Sequence, residues 1–231
     1  MGIFIPVVLG LAFVKAYLKK IGLALALLLP LQASYAGLFI PKDMTMIMAM
    51  RTGEMTTTEL SYGLKPNLSM AVNHFEFTGH HDGISRYTGV QAAYLLDRHY
   101  GSQGIANWYV FGGPVTSTYM NADSKNGAQG GLWFDYETLR IYTRVSAQRF
   151  LVHQREQSVY TAQALWAPYA AEFGEVASWV GVQVMRDSMQ TGQTALTPML
   201  RFFERSWWLD IGVKANTERR GDLFMNVMFL F

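Results

Sequence analysis

From residue 44 to the last residue, apolar and polar side chains alternate with a period of two. In LRIYTRVSAQ (139–148), Leu139, Ile141, Thr143, Val145 and Ala147 fall on one side, opposite Arg140, Tyr142, Arg144, Ser146 and Gln148. In WWLDIGVKA (207–215), Trp207, Leu209, Ile211 and Val213 oppose Trp208, Asp210, Gly212 and Lys214. Period two is the repeat of a β-strand, whose successive side chains point to opposite faces. Read between turn-rich breaks, the pattern predicts twelve strands, near 44–51, 54–64, 68–77, 86–97, 106–118, 128–136, 139–149, 157–166, 175–185, 194–203, 207–215 and 222–231.

One apolar and one polar face per strand suits a sheet closed on itself in a membrane, with lipid outside and a polar interior. After residue 36 no run of about 18 apolar residues occurs, so a helical span is not on offer there. A closed antiparallel barrel is the remaining way to satisfy every backbone group in hydrocarbon. The last ten residues, DLFMNVMFLF, put Leu223, Met225, Val227, Phe229 and Phe231 on one face and end on an aromatic. This terminal strand, with Phe229 and Phe231, resembles the assembly signal of bacterial outer-membrane β-barrel proteins. The resemblance implies an all-β transmembrane barrel in the outer membrane of a Gram-negative cell, with membrane lipid and the barrel-assembly machinery as partners.

An even strand number returns both ends of the barrel to one side. Counted back from the last strand, KPN (65–67), YET (136–138), APYAAEFGE (167–175) and ERS (204–206) become periplasmic turns. TGHHDGIS (78–85), NADSKNG (121–127), FLVHQRE (150–156), DSMQTGQ (187–193) and NTERRG (216–221) become the more polar outer loops. Tyr62, Trp108, Tyr136, Trp166, Trp207 and Phe231 then lie near periplasmic strand ends, as an interfacial girdle would. Pro114 and Pro198 fall inside predicted strands and remove ladder donors, so bulges or later strand starts are expected there.

Residues 1–36 read as a signal peptide, and 37–231 as the barrel. Lys15, Lys19 and Lys20 give a positive region, IGLALALLL (21–29) an apolar core, and Ser34 and Ala36 the small residues of a cleavage site. Cleavage takes three lysines from the formal +2 and leaves a near-neutral chain. A near-neutral chain has no broad basic field for nucleic acid. Half of all residues are hydrophobic and 14% aromatic, rich for a soluble surface. Cysteine is absent, so the fold closes by hydrogen bonds and packing alone.

Candidate chemistry is sparse. MTMIMAM (44–50) carries a methionine at every second position, with Arg51 on the opposite face. A charged side chain facing lipid is costly, so the Arg51 face is expected to be the interior and the methionines to face lipid. The competing reading is a thioether track, since soft ligands suit Cu(I). His80, His81, Asp82 and His153, near the outer rim, have ligand types for a divalent metal but carry little spacing information. Outer-membrane phospholipases place a histidine two residues before the serine nucleophile. Here no His-x-Ser occurs, so catalytic residues are unknown and an enzyme is the less favoured reading, although a triad is defined by geometry and not by order. No cofactor motif is present, and the glycines of NGAQGGL (126–132) are expected to relieve crowding at the rim.

The face assignments put Glu59, Asp97, Arg140, Arg144, Arg201, Asp210 and Lys214 inward, with Asp135 and Gln183 beside them. Twelve strands lie between the roughly 8 that side chains fill and the roughly 16 that hold a wide aqueous channel. The expected function is a narrow passive channel for small polar or anionic solutes, with Arg140, Arg144 and Arg201 supplying the anion preference. A copper-handling barrel and a lipid-acting barrel enzyme are the alternatives.

Overall fold

The computed structural model describes residues 40–231 except 81–82, 120–122, 154, 173, 190–193 and 217–220. The expected signal peptide lies outside the described residues. All twelve predicted strands are present: β1 (Thr45–Arg51), β2 (Met55–Lys65), β3 (Leu68–His80), β4 (Gly83–Tyr100), β5 (Ile105–Tyr119), β6 (Lys125–Glu137), β7 (Ile141–Val152), β8 (Arg155–Trp166), β9 (Ala177–Asp187), β10 (Thr194–Glu204), β11 (Trp207–Val213) and β12 (Leu223–Leu230). Each pairs antiparallel with its neighbours in sequence, and β1 pairs with β12 to close the barrel. Met46 lies opposite Leu230, and Thr45 and Phe231 exchange both backbone hydrogen bonds, at 2.7 and 2.9 Å. The first and last strands therefore seal the sheet at one end, called here the terminal end; the opposite end is the far end. The largest departure in length is β4, expected over 86–97 and extending beyond it at both ends.

The alternation sorts side chains as the period-two pattern requires. Leu60, Val72, Val90, Leu132, Val145 and Leu200 stand exposed on the outer wall. Tyr62, Trp108, Trp166 and Phe231 are exposed at the terminal end, where a girdle is expected; Tyr136 and Trp207 are half-buried. Charges on the wall gather at the far end, where Arg86 meets Glu76 at 2.9 Å and Arg149 pairs with Glu156. The prolines do not produce bulges. Pro114 pairs with Ala128 and Pro198 with Val182 in unbroken register. Opposite Pro114 the β4 ladder omits Val90 and Gln91, then resumes in the same register at Ala92 and Gly112. The missing donor thus costs one local gap, not a shift. Register shifts occur instead at Gly63/Lys65, Phe77/His80 and Leu95/Asp97.

The structure reverses the expected face of β1. Ile47 and its β12 neighbour Phe229 are exposed at 46% and 51%, whereas Met46 and Met228 are at 3% and 4%. The methionine ladder faces inward, and the face shared by Ile47 and Arg51 faces out. Arg51 is the last residue of its strand, at the far rim, where an outward charge reaches water and the lipid penalty falls to roughly 0–1 kcal/mol.

Residues before β1 also enter the barrel. Ile40 is 2% exposed and packs with Tyr142, Trp179 and Trp208 at the terminal end. The chain passes so close to β2 that a Cβ on Gly63 would lie 2.0 Å from the Pro41 carbonyl oxygen. Asp43, in a left-handed conformation at φ 65°, then turns the chain into β1 and donates its N–H to the Gly63 carbonyl at 2.8 Å.

Candidate functional site in the lumen

Side chains fill most of the interior in three levels. Near the far end, Phe75 and Phe77 of β3, Tyr87 of β4 and Phe150 of β7 meet across the lumen. The Phe150 ring is 5.1 Å from Phe75 and 4.6 Å from Tyr87, contacts between strands that are not neighbours in the sheet. Val115, Val152, Val159 and Met185 complete this apolar layer. Beside it, Glu54 and Lys214 form a buried ion pair, and Gln157 donates to Asp187 at 2.9 Å.

At the terminal end the layer has polar anchors. Arg201 of β10 donates to both carboxylate oxygens of Asp210 on β11, at 2.6 and 2.9 Å. Its guanidinium lies 4.8 Å from the Tyr142 ring centroid and 4.7 Å from that of Trp208. Asn226 donates to Asp210 at 3.1 Å. An amide chain continues the network, with Arg201 donating to Gln163 at 3.4 Å and Gln163 to Gln183 at 2.6 Å. On the opposite wall Gln148 donates to Gln129, Gln129 to Asn73, and Asn73 to Gln91, joining β3, β4, β6 and β7. Buried amides satisfied by one another in this way hold positions without carrying charge.

Between the layers lies a cavity of about 110 Å³. Phe75 and Phe77 bound it from the far side and Trp208 from the terminal side, and Glu59, Arg144 and Met48 are among the side chains on its wall. Arg144 sits 4.0 Å over the Trp133 ring, and its Nε has no hydrogen-bond partner among the described residues. Trp133 and Asn107 donate to Asp135, and Arg98 to Asn107, so a second polar chain reaches the same region.

Of the nine residues expected to line the lumen, the structure places Glu59, Asp135, Arg144, Gln183, Arg201, Asp210 and Lys214 inside. Asp97 and Arg140 are corrections. The shift at Leu95/Asp97 sets Asp97 opposite outward Trp108 and turns Arg98 inward instead. Arg140 precedes β7 and lies in the turn, donating to the carbonyls of Ala167 and Pro168 at 3.0 and 2.9 Å. Of the histidine group, His153 is exposed in a turn at φ 54°. His81 and Asp82 lie outside the described residues, as does the His80 side chain. Among the described residues no three His, Cys, Asp or Glu side chains converge as metal ligands. The glycines of β6 do not serve the rim alone: Gly131, in mid-strand, leaves the space that the Phe111 ring fills, 2.5 Å from where its Cβ would stand.

The sequence reading missed Ile40, the ring layer around Phe150, Arg98, and the amides Asn73, Gln91, Gln129 and Gln163. For the amides a signal existed, since all four fall on the inward period of their strands; Ile40 gave none.

The fold matches solved outer-membrane barrels. The KdgM porin aligns at a TM-score of 0.50 and 11% identity, covering 81% of this chain and 99% of that one. The KdgM porin in complex with disordered oligogalacturonate aligns equally. The N-terminal β-barrel domain of Pseudomonas aeruginosa OprF aligns at a TM-score of 0.39 and 13% identity, covering 82% and 98%. At such identity the likeness is one of fold. No protein-family model and no curated sequence matches the chain.

Proposed function

We propose that the chain is exported by a cleaved signal peptide and serves in the outer membrane of a Gram-negative cell as a narrow passage for small polar solutes, closed in this conformation by side chains. The single observation that supports this most is the cavity between two barriers made of side chains. At the far end the barrier is apolar rings, which can move aside by χ rotation without any change in the sheet. The wall meets lipid, and Phe229 and Phe231 at the sealed seam serve recognition by the assembly machinery. The far end is the outer one in this orientation.

An anion preference has less support than the sequence offered. Arg140 lies outside the lumen, and Arg201 is neutralised by Asp210. Arg144 lines the cavity with Asp135 directly opposite it on the neighbouring strand β6. The passage is therefore assigned to small polar solutes without a strong sign preference.

Planar-bilayer recording of purified protein under a salt gradient tests this. The wild type should give small, infrequent steps with a reversal potential near zero. Phe150→Ala, which opens the ring layer, should give larger and more frequent steps. Silence from both proteins, with folding verified by heat-modifiable migration, would replace the passage with a closed binding barrel.

A further inference from the structure

We infer that the lumen contains a binding site for a soft monovalent cation, Cu(I) or Ag(I), formed by the thioethers of Met46, Met48, Met50, Met55 and Met228. These five side chains come from β1, β2 and β12 and line the one cavity of about 110 Å³. Met48 lies directly opposite Met228 across the closing seam. Directly opposed residues place their Cβ atoms about 4.5–5.5 Å apart. Met46 and Met50 sit two residues to either side on the same inward face, a spacing of roughly 7 Å. Three flexible bonds per methionine allow such a group to gather its sulfurs on one ion.

Hydrophobic filling does not explain the choice of residue. Leucine and methionine exchange with little change of volume, yet the barrel sorts them. Leu60, Leu132, Leu151, Leu200 and Leu223 are exposed on the outer wall, where methionine is represented by Met70 and Met225. Among the buried hydrophobics of the described residues Met46, Met55, Met185, Met199 and Met228 are methionine, and Leu165 is the single leucine. Lipid contact and interior burial are both apolar environments, so hydrophobicity alone would not separate the two residues. What separates them is an unbranched, flexible chain and a sulfur, and at the cavity wall both properties serve an ion.

The donor set also selects the ion. Thioethers are neutral, soft ligands that suit Cu(I). A hard divalent ion wants several oxygen donors, and Glu59 is the single carboxyl side chain on the cavity wall. The Glu59 carboxyl is itself engaged, accepting from the Ser61 hydroxyl at 2.5 Å, which leaves the thioethers as the donor set. Met44, partly buried at the terminal end on the same face of β1, extends the thioether run beyond the cavity.

The test uses protein extracted from membranes, stripped with a thiosulfate wash and loaded with Ag(I) in chloride-free detergent buffer. Bound silver is counted, and its ligands are read by X-ray absorption. One equivalent held by sulfur alone is expected. The Met46→Leu, Met48→Leu, Met50→Leu triple variant should lose it, with affinity falling at least 100-fold, and Met48→Leu alone should weaken it at least tenfold if the triple variant does not fold. Met70→Leu with Met225→Leu, on the outer wall, should bind as the wild type does. Failure of the wild type to retain silver, oxygen or nitrogen ligation, undiminished binding by the inward variants, or equal loss from the outward pair would each overturn the site. Conductance is not read in this experiment, so the proposed passage stands or falls separately.

Discussion

At the far end the lumen is crossed by Phe75, Phe77, Tyr87 and Phe150, whose rings touch one another and other apolar side chains. At the terminal end it is crossed by Arg201, clamped by Asp210 and enclosed between Tyr142 and Trp208. Both layers block the bore, but they differ in what it takes to open them. A ring pair contributes roughly 0.5–1.5 kcal/mol beyond its burial, and an aromatic side chain can exchange one rotamer for another. Separating a buried ion pair leaves an uncompensated charge, which costs about 3–5 kcal/mol. The ring layer is therefore suited to move, and the ion-pair layer to hold the barrel in shape.

The largest effect is expected where one charge of the clamp is removed. Asp210→Ala should lower stability by about 3–5 kcal/mol in urea unfolding, because Arg201 and Asn226 both donate to Asp210 and would lose that shared acceptor. Replacing both partners, Arg201→Met with Asp210→Leu, should recover most of that loss. If the double variant is as unstable as the single one, the layer is held by aromatic packing and the contrast between the two layers disappears.

Next in size is the ring layer. Phe150→Ala should cost about 3 kcal/mol, the low end of the range for phenylalanine truncation, with the rings of Phe75, Phe77 and Tyr87 that pack against it left to close over the space. The same variant is the one expected to enlarge the conductance step. Stability loss without any change in conductance would make the ring layer a structural core and not a barrier.

The architecture was readable because a barrel wall imposes the same two-residue rhythm on every strand, and Trp208, Asp210 and Lys214 keep that rhythm without interruption. Where both faces of a strand are apolar the rhythm loses contrast. In β1 methionines oppose Thr45, Ile47 and Ala49, and the one charge, Arg51, stands at the rim where it does not report the inward side. The correct face becomes visible only through the register with β12, where Ile47 meets Phe229. Asp97 failed for a related reason, since one shifted residue exchanges inside and outside for the rest of the strand. Which side chains meet across the lumen, as Phe150 and Phe75 do, depends on the curvature of the closed sheet and leaves no trace in local spacing.

The smallest effect sharpens the comparison from outside the lumen. Arg140 and Arg144 are four residues apart on the same period of the sequence, yet one belongs to a turn and the other to the cavity wall. Arg140 donates to two carbonyls of the turn after β8 and lies 5.4 Å from the Trp166 ring centroid. Arg140 is itself exposed, although one of the two bonds is partly buried, so Arg140→Ala should cost no more than about 1 kcal/mol and leave the reversal potential unchanged. Arg144→Ala removes a positive charge from the cavity wall and leaves Asp135 without the cation opposite it, so it should shift the reversal potential toward cation preference. A shift of equal size from Arg140→Ala would mean that the terminal mouth, and not the cavity, sets the selectivity of the passage.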